Sequence, residues 1–238
     1  MSKTMTKIIL ADFEHPAVQQ KANELTAGVE SRRIQIQKIF KYVRDDILFG
    51  YPLKGDLVSA SETMRLGTGQ CNTKSALFLA LCKAADIPAR IHFSAIKKEI
   101  QRGLFKGPAY RAMPDKISHS WIEVLLDGKW RKIDAFINDI DFFNGAKKQL
   151  ELLNWQNGFS VSSENGEPSA ELDLDNEKFV QMGAVVDDHG VWEEPMAYYS
   201  SEQYKNRPGF IKLLFYRLLI GVVNKRVVKL RQNGARLH

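Results

Sequence analysis

The sequence predicts a fold that mixes buried α-helix with antiparallel β-strand. Three observations carry that prediction. Residues 72–85 are apolar on nearly every side, as in a helix at the centre of a domain. Residues 118–126 and 129–136 read as two strands joined by Asp127-Gly128, a strong signal for a two-residue hairpin. Residues 89–96 alternate in polarity as a strand does.

The elements follow in chain order. Residues 29–47 form a helix, because Val29, Ile34, Ile36, Ile39, Phe40, Val43 and Ile47 fall mostly at helical spacing. Residues 49–69 form a long loop, broken by Gly50, Pro52, Gly55, Gly67 and Gly69. The buried helix starts near Cys71 and stops at Asp86-Ile87-Pro88. The hairpin turn sets its own register: Leu126 opposite Lys129, Glu123 opposite Lys132, Trp121 opposite Asp134 and His119 opposite Phe136. Side chains alternate across a strand, so His119, Trp121 and Asp134 project from one face. His119 and Asp134 become diagonal neighbours roughly 7–8 Å apart at the backbone. Residues 154–175 are polar and turn-rich, and residues 183–204 read as irregular. Residues 210–231 look helical, a helix either docked on the domain with its basic residues outward, laid on a membrane interface or engaged in an oligomer contact. The division is an N-terminal segment (1–28), a core (29–153), a polar irregular extension (154–207) and a basic apolar C-terminal helix (208–238).

The chain has 238 residues, enough for one large domain or one domain with an appendage. Its N-terminus has no apolar core of signal-peptide length, and no uncharged apolar run is long enough to span a membrane. Cys71 and Cys82 are the only cysteines. Eleven residues apart on one helix, they lie ~16 Å from each other, too far for a disulfide. A cytoplasmic location is expected. Seven of the 34 basic residues and none of the 28 acidic ones lie in 208–238. The rest of the chain is therefore close to neutral, and the net charge of +6 reflects one local patch. Such a patch suits an anionic membrane surface or an acidic partner, and nucleic acid is not expected.

The chemistry centres on Gly67-Thr68-Gly69-Gln70-Cys71-Asn72-Thr73-Lys74-Ser75. A thiol at a helix N-terminus faces unpaired N–H groups and the positive end of the helix dipole, which favour thiolate. Cys71 is thus the expected nucleophile. His119 supplies a base and Asp134 a carboxylate to orient it. Cys82 sits in the apolar helix and reads as core. Glu123 opposite Lys132 reads as a cross-strand ion pair. Asp187, Asp188, His189, Glu193 and Glu194 match no metal-ligand spacing and read as a solvated acidic turn. His15 and His92 read as ordinary surface or packed histidines, and Arg90 as a stabiliser of the fold.

These motifs together resemble the transglutaminase-like superfamily of papain-type folds. The resemblance runs from about Val29 to Asp134, through Ala60-Ser61-Glu62-Thr63, Gly69-Gln70-Cys71, Ala85-Asp86-Ile87-Pro88-Ala89-Arg90, His119-Ser120-Trp121-Ile122-Glu123-Val124, Gly128-Lys129-Trp130 and Ile133-Asp134. It implies an α+β, papain-like fold in which a central helix bearing the cysteine packs on an antiparallel sheet. It also implies a Cys71-His119-Asp134 triad that attacks an amide or ester carbonyl through a thioester. Animal-type transglutaminases stabilise the oxyanion with an indole upstream of the cysteine, and this chain has no tryptophan before Trp121. The Cys71 backbone N–H is the expected oxyanion donor, with Gln70, Ser61 and Tyr51 as candidates for the second. Trp121 is a candidate for the cleft wall. The calcium-binding clusters of animal cross-linking enzymes and the zinc cysteines of peptide N-glycanases are missing, so neither metal nor cofactor is expected. The expected activity is amide or isopeptide hydrolysis on a peptide, amide or thioester substrate. One alternative is an acyltransferase of the arylamine N-acetyltransferase kind. The other is a non-catalytic module anchored to a membrane or partner through residues 208–238.

Overall fold

Helix caps explain where most elements begin. The structure, a computed structural model, describes residues 8–207 and 209–236, with Phe210 and Ile211 as backbone only. Residues 1–7, Pro208 and the last two residues of the basic tail therefore lie outside the described residues. Helix α1 (Pro16–Thr26) starts at His15, whose ring accepts the Ala17 N–H at 3.2 Å. Ser31 opens α2 (Arg32–Lys41), which continues as a π-turn through Asp46. The predicted helix over 29–47 is thus shorter at its start and changes winding at its end. The two-residue strand β1 (Leu48–Phe49) follows. Ser59 caps α3 (Ala60–Leu66), a helix inside the stretch read as loop. It ends at Gly67, whose φ of 61° suits a residue without Cβ. Strand β2 (Thr68–Gly69) pairs in parallel with β1 and delivers the chain to α4 (Cys71–Ala84).

The main sheet is antiparallel. Strands β3 (Ala89–Lys97), β4 (Lys116–Leu126) and β5 (Lys129–Ile133) follow in chain order, with the short helix α5 (Gly107–Arg111) before β4. The hairpin register is the predicted one, with Leu126 opposite Lys129 and Glu123 opposite Lys132. Strand β5 stops at Ile133, however, and Asp134 enters a turn closed by Ile137 N–H to Asp134 C=O at 3.0 Å. The pairs Trp121–Asp134 and His119–Phe136 therefore do not form. Helix α6 (Ile140–Leu153) is capped by Asp139. Two-residue strands β6 (Asn157–Gly158) and β7 (Val161–Ser162) make a small hairpin.

The extension corrects the reading of 183–204 as irregular. Residues 185–192 form β8, which pairs antiparallel with β3 and gives the sheet order β5-β4-β3-β8. Its run Asp187-Asp188-His189-Gly190 hides the strand, since these residues favour turns. Their charges find partners instead: Lys116 meets Asp187 at 2.8 Å, and His92 meets Asp188 at 2.6 Å. Among the described residues there is no cluster able to hold a metal. Helices α7 (Pro195–Ser200) and α8 (Phe210–Ala235) complete the chain.

One face of the sheet, including Ile91, Phe93, Ile122 and Val124, is buried with α4 in a single core. The other face carries a charged network. Glu123 binds Arg90 at 2.7 Å and His92 at 2.8 Å, and His92 stacks on Trp121 with ring centres 4.1 Å apart. The expected Glu123–Lys132 ion pair is thus replaced by pairs to β3. Burial opposes charge on His92, but its bonds to Glu123 and Asp188 overcome this and raise its pKa. A raised histidine stabilises the fold below its unfolded pKa of ~6.5, and this is lost as pH rises through the folded value. Thermal stability is expected to fall across that window, and His92→Gln to flatten the fall. An unchanged pH profile in His92→Gln counts against the network.

Helix α8 docks on α6. A Cβ on Gly145 would sit 2.0 Å from the Leu230 carbonyl oxygen, and one on Gly234 would sit 1.7 Å from that of Asp141. Two glycines thus allow the helices to touch backbone to backbone. Arg231 forks onto Asp139 at 2.9 and 2.7 Å, and Asn224 exchanges two 2.9 Å bonds with the Tyr51 backbone. No helix among the described residues is long and apolar enough to cross a membrane.

Candidate active site

Gln70 sets the start of the cysteine helix. Its Oε1 accepts the Asn72 N–H at 3.1 Å, and Thr73 closes a capping box with the Gln70 N–H at 3.0 Å. Cys71 is therefore the first helical residue, only 8% exposed. Because β5 ends opposite Ile122, the edge of β4 over 118–120 is open to the helix start. Asn72 Nδ2 reaches Ser118 Oγ at 3.3 Å, and Ser75 Oγ reaches the Ser120 carbonyl at 3.3 Å. The Ser120 and Asn72 backbone N–H groups act on the Cys71 sulfur. The residues on either side of His119 thus meet the first turns of the cysteine helix.

His119 and Asp134 are both fully buried. His119 lies on the face of β4 that also carries Trp121, with ring centres 6.1 Å apart. Neither of its ring nitrogens has a hydrogen-bond partner. Asp134 is engaged elsewhere: its oxygens accept the N–H groups of Val180 at 2.7 Å, Gln181 at 2.8 Å and Met182 at 3.0 Å. The carboxylate thereby clamps the extension against the sheet. The Gln181 side chain is the group that favours charge on His119, and its amide nitrogen donates to the Ser160 carbonyl at 3.1 Å.

The electrostatics correct the expectation of a resting thiolate. Burial pushes the Cys71 thiol well up, the negative charge of Asp56 adds to this, and the two backbone N–H groups only partly offset it. Burial also pushes His119 down to about 3. Asp134 is raised by burial to about 6, against its three backbone bonds, and stays mostly ionised at neutral pH. The resting pair is thus neutral thiol and neutral imidazole. Consistent with that, the thiol donates to Gln70 Oε1 at 2.9 Å.

Asp56 was not legible as a site residue. It accepts from Gln70 Nε2 at 2.5 Å and from the Tyr204 hydroxyl at 2.9 Å. Gln70 therefore presents its oxygen to the sulfur and its amide N–H to Asp56, so in this rotamer it offers no oxyanion donor. Tyr51 lies close enough for Cys71 charge to oppose its ionisation, after the larger effect of burial, but its hydroxyl is bonded to Gln101. Ser61 is tied to Asp12 through its backbone N–H at 3.0 Å and its hydroxyl at 2.5 Å, and no bond links it to the cysteine. The Trp121 indole points to Glu123 at 3.4 Å and forms a buried wall.

Tyr199 comes from α7, outside every sequence motif. It is buried, its hydroxyl has no partner, and burial followed by charge on Asp56, Tyr204 and Cys71 raises its pKa. Tyr199 packs on Tyr204 with ring centres 4.8 Å apart, and Tyr204 bonds to Asp56, so the extension reaches the site. Open hollows lie elsewhere, lined by residues such as Arg102, Trp155 and Asn157 or Lys97, Asp115 and Lys116. Cys82 is fully buried, and both cysteines are free.

Two of the solved structures that this chain resembles are similar at low identity. One is a candidate cysteine protease from Cytophaga hutchinsonii, with 15% identity over 79% of this chain and 45% of that chain, at a TM-score of 0.47. The other is a candidate protease from Parabacteroides distasonis, with 15% identity over 53% of this chain and 26% of that chain, at a TM-score of 0.38. This chain thus spans less than half the length of either. No curated protein matches. Residues 19–135, from α1 to the turn at Asp134, match the family described as the transglutaminase-like superfamily, and this stretch of the chain belongs to that superfamily.

Proposed function

We propose that the protein is a cysteine-dependent amide or isopeptide hydrolase working through a thioester, with Cys71 as nucleophile, His119 as base and Asp134, bonded to the backbone of 180–182 in the resting protein, as the carboxylate that answers the charge on His119 once it forms. The observation that carries the reading is the meeting of the first turns of the buried helix with β4 at Ser118 and Ser120, the two neighbours of His119. The Cys71 proton passes to His119 as the sulfur bonds to the carbonyl carbon. Asp134, ionised and buried, stabilises the imidazolium that forms. Collapse of the adduct breaks the C–N bond, and His119 returns the proton to the leaving amine. Water then attacks the thioester, releasing the acid and restoring the thiol. The Tyr199 hydroxyl is the second oxyanion donor in this scheme, since it alone among the tyrosines and Gln70 around the sulfur keeps an uncommitted proton.

The enclosure of the site favours one second reading. With the nucleophile and base nearly shut off from solvent, an acceptor amine that enters the cleft competes well with water. Acyl transfer from a thioester donor uses the same residues. The two readings share one test. The protein is incubated with peptide amides, isopeptides and acyl thioesters, and its peptides are weighed by mass spectrometry. An acyl adduct is expected on the peptide holding Cys71 and not on Cys82. Acylation at any other side chain, with Cys71 unmodified, overturns both readings. Release as free acid or as an amine conjugate then separates hydrolysis from transfer.

A further inference from the structure

We infer that α8 is an interfacial helix that lays its outer face on an anionic membrane surface. The inner face is already used: Ile220, Val223, Val227 and Leu230 are buried, and Asn224 and Arg231 bond to the body. The opposite face is apolar and uncovered. Leu214, Phe215, Leu218, Leu219 and Val222 are exposed, Phe215 by 61% and Leu218 by 69%. Their spacing makes one stripe roughly 12 Å long at 1.5 Å per residue. Scattered exposed leucines need no explanation, but a contiguous stripe marks an interaction site.

The charges around the stripe select its occupant. At about 100° per residue, Lys212 borders the Leu219 edge and Arg217 the Leu214 edge, while Lys225 and Lys229 extend the same face by two turns. All four are exposed, and the segment 208–238 has no acidic residue. An apolar centre with cationic flanks matches the boundary between acyl chains and anionic headgroups, where long basic side chains reach outward to phosphate. A second copy of the chain fits poorly. A symmetric pairing would bring these cations against one another with no carboxylate to answer them. The helix remains too polar to span, so it lies on the surface.

The test is sedimentation of the full chain with vesicles of phosphatidylcholine alone and of equal parts phosphatidylcholine and phosphatidylserine. Binding is expected only to the anionic vesicles and is expected to weaken with salt. Phe215→Ser with Leu218→Ser removes the apolar centre and is expected to cost roughly tenfold or more per residue. Lys225→Gln with Lys229→Gln is expected to cost about fivefold per residue. All four side chains are exposed, so the thermal midpoint checks that the variants stay folded. Absence of binding to anionic vesicles at low salt overturns the inference. Binding unaffected by the serine pair reduces it to plain charge attraction and also overturns it. A wild-type dimer that the serine pair dissociates assigns the face to a second copy instead. None of these outcomes depends on the proposed catalytic reading.

Discussion

Replacing Cys71 by alanine is expected to lower turnover of the substrate found by acyl trapping by about 10⁴-fold or more, with the fold retained. The side chain is small, and its loss leaves the Gln70–Asn72 and Gln70–Asp56 bonds in place. His119→Ala is expected to cost about 10²- to 10⁴-fold, the usual contribution of a general base. Tyr199→Phe removes only a hydroxyl that bonds to nothing in the resting protein. Its effect is expected on kcat, about 10²-fold, with KM nearly unchanged, since an oxyanion donor acts in the transition state. The measurement is kcat and KM for the three variants, with circular dichroism to check the fold. Full turnover in Cys71→Ala would remove the nucleophile from the scheme. A Tyr199→Phe protein with wild-type kcat would leave the backbone N–H of Cys71 as the oxyanion donor without help.

Asp139→Ala is expected to be the most damaging single change to stability, at roughly 3–5 kcal/mol, the cost of leaving a buried ion pair broken. Its carboxylate caps α6 through Phe142 N–H at 3.1 Å, accepts Phe49 N–H at 2.8 Å and takes both bonds of the Arg231 fork. It is also the carboxylate that most favours charge on the fully buried Lys74, which burial pulls down to about 7. Removal strands the Arg231 guanidinium and two N–H groups at once, and takes from Lys74 the carboxylate that most favours its charge. For a chain of this length the thermal midpoint is expected to drop by about 10 °C. Asp139→Asn, which keeps one acceptor oxygen for the cap, is expected to lose less. A wild-type midpoint in Asp139→Ala would mean that the knot contributes nothing net. The consequence also reaches the site: Phe49 pairs with Gly69, and Gly69 leads through Gln70 into Cys71. Helix α8 thus holds the nucleophile's approach loop through Arg231 and Asp139.

The elements with regular patterns were legible. The apolar run after Cys71 and the Asp127-Gly128 turn placed α4, β4 and β5 within a few residues, and the register over 122–126 followed from the turn alone. Local chemistry suffices there, because a buried helix and a two-residue hairpin are each specified by neighbours in sequence. Strand β8 was not legible, since its acidic run looks like a turn until Lys116 and His92 answer it from other strands. Helix α3 was hidden among glycines because it needs only the Ser59 cap and a Gly67 stop.

Residue order alone shows that a cysteine begins a buried helix and that a histidine follows on an antiparallel hairpin, whereas the aspartate expected on the second strand sits one residue past its end. The tertiary structure alone decided their state. Helix dipole and N–H groups argue for thiolate, but burial, with the charge of Asp56 nearby, outweighs them and leaves a neutral pair. It also decided what surrounds the site: Asp56 joined to Tyr204 across 148 positions, and Asp134 bound to the backbone at 180–182. The reason is physical. Helix starts and turns are set by interactions a few residues long, whereas charge states depend on dielectric and on neighbours that only the folded chain brings near.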